Sequence, residues 1–158
     1  MNKKGFTLME LLLVVAVLAI VAAAAAPTFF GGAQEAMDEA KKATMNSAYQ
    51  NCISGSNMLM ALSASKGITP ETTAPLSWKD STDNNKEYAL EYYTPVAARV
   101  FTNKAGTSYV FSARYDSTTK KVVVLYGAGN TEAAATTDVP ENAAGVAKTL
   151  ADLWDTIN

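Results

Sequence analysis

The 158-residue chain carries 13 Lys plus Arg against 15 Asp plus Glu, with 49 % hydrophobic and 18 % charged residues. That length suits one ordinary domain with a real core, and the acidic balance disfavours a phosphate backbone as partner. The absence of His removes the commonest general base and metal ligand, and Cys52 as the only cysteine excludes an intramolecular disulfide and a cysteine-rich zinc site.

A mean hydropathy of +0.02 conceals a strong asymmetry along the chain. Residues 1–5 read MNKKG, a short basic stretch that ends in a small residue. Phe6-Thr7-Leu8-Met9-Glu10 follows, and residues 11–30 contain no charged side chain. As a helix rising about 1.5 Å per residue, that stretch spans roughly 30 Å, the thickness of a bilayer's hydrocarbon core. A secretory signal peptide would account for the basic start and for the small residues Ala22 to Ala26. An anion at position 10 and the length of the apolar run argue against it. A signal anchor would leave Lys3 and Lys4 in the cytoplasm, an orientation that holds whether or not the chain is cut.

Glu10 stands out, because a carboxylate at a membrane edge is costly unless it has a partner. A cut after Gly5 would make Phe6 a new, positively charged amino terminus about one helical turn from Glu10. In a stack of parallel helices the amine of one copy would then meet Glu10 of the next. The competing reading is that Glu10 serves only its own helix N-terminus through the macrodipole. Pro27 removes a helix hydrogen bond and crowds the preceding turn. With Gly31 and Gly32 close behind, residues 26–32 are a weak helical stretch: either the helix ends there, or the stretch is a flexible joint.

The run GFTLMELLLVVAVLAIVAAAAAPTF resembles the N-terminal signature of type IV pilins and type II secretion pseudopilins. The resemblance implies cleavage by prepilin peptidase between Gly5 and Phe6, N-methylation of Phe6, a role for Phe6 and Glu10 in assembly, and a helix kink at Pro27. The five-residue leader is similar to the short leaders of the type IVa class. The resemblance covers about thirty residues and implies the fold, but little else, for the remainder.

From Gln34 the pattern turns amphipathic. Met37, Ala40, Lys41, Thr44, Ala48, Cys52, Leu59 and Leu62 form a mixed stripe at helical spacing, with Cys52 read as a small buried hydrophobe. Lys66, Gly67 and Pro70 together signal a helix end, so one helix from about Phe6 to Ser65 is expected. Residues 67–86, rich in Pro, Ser, Thr, Asp and Asn, read as a connection with at most one short strand. Asp80, Asp83 and Asn85 are loosely spaced like calcium ligands, without the glycine and terminal Glu that such a loop requires. Strand signals follow at residues 88–92, 97–102, 109–115 and 122–126. Their Tyr and Phe alternation suits core packing better than base stacking in an acidic chain. Gly127-Ala128-Gly129 leads into a polar loop instead of a helix and is no phosphate cradle. Asp138-Val139-Pro140-Glu141 resembles a capping box ahead of a C-terminal helix carrying Val146, Leu150, Leu153 and Ile157.

The expected fold class is α+β. A long N-terminal helix would carry a four-stranded antiparallel sheet on its C-terminal half, and a C-terminal helix would close the domain. Three parts are expected: a leader at residues 1–5, a transmembrane and filament-core helix at 6–33, and a globular domain at 34–158. Removing Lys3 and Lys4 with the leader leaves 11 basic residues against 15 acidic ones, a mature side-chain charge of −4. The chain is read as a structural subunit of a type IV pilus-like filament. Its expected partners are copies of itself, the prepilin peptidase, the assembly machinery of the inner membrane and, before assembly, lipid. No cofactor, metal or enzymatic activity is expected. The alternatives are a type II secretion pseudopilin and a minor pilin acting as a DNA receptor, for which Arg99, Lys104, Arg114, Lys120 and Lys121 would supply the basic patch.

Overall fold

Helix α1 runs from Leu8 to Lys66 in a computed structural model that describes residues 8–139 and 146–158, with backbone only at 27–30 and 146–149. The chain divides into two compact units, the first ending at Glu39 and the second spanning Ala40–Asn158. In the first unit the helix continues through Pro27, Gly31 and Gly32, and residues 8–24 are all exposed.

In the second unit α1 becomes a core element. Met45, Ala48, Tyr49, Cys52, Ser56, Leu59 and Ser63 are buried, a stripe at three- and four-residue steps. Ala48, Cys52 and Leu59 were expected there; Met37, in the first unit, is exposed, as are Ala40 and Thr44, and Lys41 and Leu62 are only partly buried. The stripe includes two serines because each hydroxyl is satisfied inside the helix: Ser56 donates to the Cys52 carbonyl at 2.7 Å and Ser63 to the Met60 carbonyl at 2.9 Å. The helix ends where its sequence signals put the end. Gly67 adopts φ +67°. Its N–H donates to Ala64 O at 3.1 Å, and the Ile68 N–H donates to Ser63 O at 2.9 Å, which together make a Schellman termination.

The connection after α1 is more structured than its composition suggests. Strands β1 (Ser77–Asp80) and β2 (Lys86–Ala89) form a separate antiparallel hairpin. Its turn, residues 81–85, is exposed and places Asn84 and Asn85 at φ 55° and 56°. Asn tolerates this left-handed region better than most side chains. Trp78 is fully buried, stacks on Tyr88 at 4.2 Å and donates its indole N–H to Leu59 O at 3.3 Å. The expected strand at 88–92 is cut short: Leu90–Tyr93 is a single helical turn, α2. The next expected strand also shrinks, since Val96–Arg99 is a 3-10 turn and only Val100–Thr102 (β3) pairs.

The four-stranded antiparallel sheet has the order β3-β4-β5-β6, with β4 at Ser108–Asp116, β5 at Lys121–Ala128 and β6 at Thr137–Asp138. Its fourth strand is therefore β6, not the segment at 88–92. Tyr109, Phe111, Ala113 and Tyr115 share the main core with α1, and Phe111 meets Tyr49 edge-on at 5.5 Å. The middle of the opposite face of β4 is also covered. Val110 and Ser112 are fully buried, and Val110, Leu125 and Ala135 form a second small core with Val96, Val100 and Ala134. The loop between β5 and β6 folds back over this face. It comes so close that a Cβ on Gly127 would overlap the Ala134 carbonyl oxygen.

Helix α3 is described from Val146 to Thr156. Leu150, Leu153 and Trp154 are buried in the main core, each contributing about 1.5–3 kcal/mol by burial. Of the expected capping box, Pro140 and Glu141 lie outside the described residues. Asp138 is a strand residue paired with Leu125.

Candidate functional site

The segment singled out by sequence is the beginning of α1. Gly5 and Phe6 lie outside the described residues. Glu10 sits in the first turn of α1 and is exposed, where its charge complements the partial positive charge of the helix N-terminus. Around and beyond it the large apolar side chains from Leu8 to Val21 are 45–77 % exposed, whereas Met45, Cys52 and Leu59 on the same helix are 0 % exposed. The difference has a clear physical meaning. A helix that is apolar all round and left exposed is unstable in water; it needs lipid or other helices around it. The helix is long and apolar enough to cross a membrane by length and composition.

Pro27 lies within the helical backbone. Around Gly31 and Gly32 a Cβ would meet nothing within 4 Å, so among the described residues no close contact demands glycine at either position. Each still weakens the helix by roughly 0.5–1 kcal/mol relative to Ala.

Residues 1–26 match the family model of the prokaryotic N-terminal methylation motif. The chain carries the type IV pilin and pseudopilin signature. The long helix behind this motif and the α+β fold of the remainder are pilin-like. The motif implies processing by prepilin peptidase and assembly by the pilus machinery. No curated protein and no solved structure matches the chain.

Other residues that sequence reasoning raised are engaged elsewhere. Arg99 is fully buried: its Nε donates to Thr94 O at 3.0 Å, its Nη1 to Phe111 O at 2.9 Å, and its Nη2 pairs with Glu132. Arg114 pairs with Asp138 at 3.0 Å. Two of the five cations proposed as a basic patch are thus occupied. Asp80, loosely placed among calcium-like ligands, is 1 % exposed; it accepts from Lys66 Nζ at 2.6 Å and from Thr82 through both Oγ1 and N–H. The Lys66 ammonium, the Thr82 hydroxyl and the Thr82 amide together hold its carboxyl well below the usual carboxylate range. Burial pushes the Cys52 thiol up to about 12, with Arg99 pulling the other way, so this sulfur is an inert core atom. The Arg99–Glu132 pair carries no sequence signal. Its partners stand 33 positions apart, and Arg99 falls in a segment that reads as strand.

Proposed function

We propose that this chain is the structural subunit of a type IV pilus-like surface filament. Prepilin peptidase removes residues 1–5 by cutting between Gly5 and Phe6, and the new amine of Phe6 is N-methylated. Residues 6–33 hold the precursor in the cytoplasmic membrane and later pack in the filament core, and residues 34–158 form the globular domain carried outward to the cell surface. One observation carries this reading: a methylation-motif N-terminus runs directly into helix residues 8–24, all of them exposed. An apolar surface of that extent needs a lasting cover. Parallel copies of the same helix supply one, through head-to-tail contacts that propagate without closing.

In this assembly Glu10 takes the Phe6 amine of a neighbouring copy as partner, so that both charges are neutralised within an apolar bundle. Pro27, Gly31 and Gly32 lower the helical stability of one short stretch. In our reading they act as a joint that lets the subunit pass from bilayer to filament. The same motif also supports a short pseudopilin assembly of type II secretion. Electron microscopy of sheared cells, with mass spectrometry of the subunit's N-terminus, tests the proposal. Long surface filaments built from a chain that begins at methylated Phe6 are expected. A chain that still begins at Met1, or an absence of surface filaments, would overturn it.

A further inference from the structure

Three elements of the second unit meet at one short turn. Residues 103–107 connect β3 to β4, and the turn is closed by its own bonds. The Asn103 N–H donates to Thr107 O at 3.0 Å, the Gly106 N–H to Asn103 O at 3.1 Å, and the Thr107 N–H to Asn103 Oδ1 at 2.8 Å. Gly106 at φ +88° permits that path. With its oxygen turned inward, the Asn103 amide presents its Nδ2 outward, where it donates to Ile157 O at 2.7 Å; Asn103 is only 4 % exposed. The next residue works in both directions. The Lys104 N–H donates to Asn158 Oδ1 at 2.6 Å, and the Lys104 carbonyl accepts from Lys41 Nζ, on α1, at 2.9 Å.

We propose that this turn is a clasp that couples α1 to the last turn of α3. Lys41 holds the Lys104 carbonyl, and the turn so held offers the Asn103 amide and the Lys104 N–H to Ile157 and Asn158. The end of α3 is itself organised to receive them, since the Ile157 N–H bonds to Leu153 O at 3.1 Å and Asn158 Nδ2 to Trp154 O. The apolar side chains of Leu150, Leu153 and Trp154 dock the helix. Hydrophobic contact is non-directional, whereas the clasp's directional bonds set where the last turn stops and tie its opening to that of residues 103–107.

Hydrogen exchange of the full-length chain in detergent micelles tests the coupling, with the amides of Gly106, Thr107 and Ile157 as reporters. Lys41→Ala removes one bond to the turn and touches α3 only through it. If the clasp is real, exchange at all three reporters rises by roughly two- to tenfold, the range of a single net hydrogen bond, and β4 and β5 amides keep their protection. Asn103→Ala should give a larger rise at Ile157. Should Asn103→Ala fail to fold, Lys41→Ala, whose side chain bonds only at the domain surface, still decides the matter. Faster exchange at Gly106 and Thr107 with Ile157 unchanged would reduce the turn to a local structure and overturn the proposal. So would no change at any reporter, or an equal rise throughout β4 and β5.

Discussion

The guanidinium of Arg99 is wholly buried and pairs with Glu132 of the loop that folds over the second face of the sheet. Its other two bonds go to backbone carbonyls, one of them Phe111 O on β4, just beyond the point where β3 stops pairing at Val100–Val110. One side chain therefore extends the ladder and anchors the loop. Removing only the anion would leave a buried cation without its counter-charge, a loss of about 3–5 kcal/mol for a fully buried pair. Glu132 is partly exposed, so Glu132→Ala is expected near the lower end, about 3 kcal/mol, read by thermal or urea unfolding. Glu132→Gln, which keeps an acceptor, should recover part of that loss; equal stability of the Ala variant and the parent would refute the argument.

Glycines separate into two kinds. At Gly127 a Cβ would overlap the Ala134 carbonyl, and at Gly55 it would overlap the Thr94 hydroxyl, whereas at Gly31 it would meet open space. Gly127→Ala should destabilise the globular domain by about 2 kcal/mol or more, because backbone must move. Gly31→Ala should leave that domain's melting temperature unchanged while raising helicity at its site by up to about 1 kcal/mol. Circular dichroism melts of both variants make the comparison.

Lys66 and Asp80 predict a pH window. Their contact lowers the Asp80 pKa and raises that of Lys66. Asp80's contribution is complete above the ordinary carboxylate pKa of about 3.9 and is lost as pH falls toward the lower folded value. Lys66's contribution is complete below the ordinary pKa of about 10.4 and is lost as pH rises beyond it. The Tm difference between the parent and Asp80→Asn should therefore be flat between about pH 5 and pH 9 and shrink steadily below about pH 4. A difference that stays constant down to about pH 2 would count against the pair.

Cys52 should resist alkylation in the folded chain. With a thiol at about 12 and no exposed surface, iodoacetamide at pH 8 should leave it unmodified over hours and label it fully once urea unfolds the domain. Rapid labelling under native conditions would mean that the helix–sheet core opens readily.

Two substitutions at the N-terminus separate processing from assembly. Gly5→Glu should block cleavage, leaving a precursor-length band on a gel. Glu10→Ala should be cut normally and yield few or no sheared filaments. Normal filament yields from Glu10→Ala would remove the charge-pairing argument while leaving the motif intact.

Much of this organisation is legible in the sequence because it rests on local rules. The end of α1 at Lys66–Gly67 follows from glycine's access to positive φ. Strands β4 and β5 follow from runs of β-branched and aromatic residues, and the N-terminal motif from its resemblance to a known signature. What sequence reasoning missed depends on partners distant in the chain. Ser56 and Ser63 are absent from the expected apolar stripe, and they are buried because their hydroxyls bond to the preceding turn. Nothing local announces that Ala134 and Ala135 return to pack with Val110 on the second face of β4. Residues 88–92 alternate as a strand should, yet the chain turns at Leu90, whose N–H is taken by Leu76 O.

The exposed turn of the β1–β2 hairpin has a practical consequence. Residues 81–85 project from a hairpin whose anchoring groups, Trp78, Tyr88 and Asp80, all lie below it, and Asn84 and Asn85 have no side-chain hydrogen bond among the described residues. A peptide tag spliced between Asn84 and Asn85 would thus disturb neither core nor ion pair. If the subunit polymerises, every copy would display that tag once, turning the fibre into a regularly spaced array of whatever is grafted there.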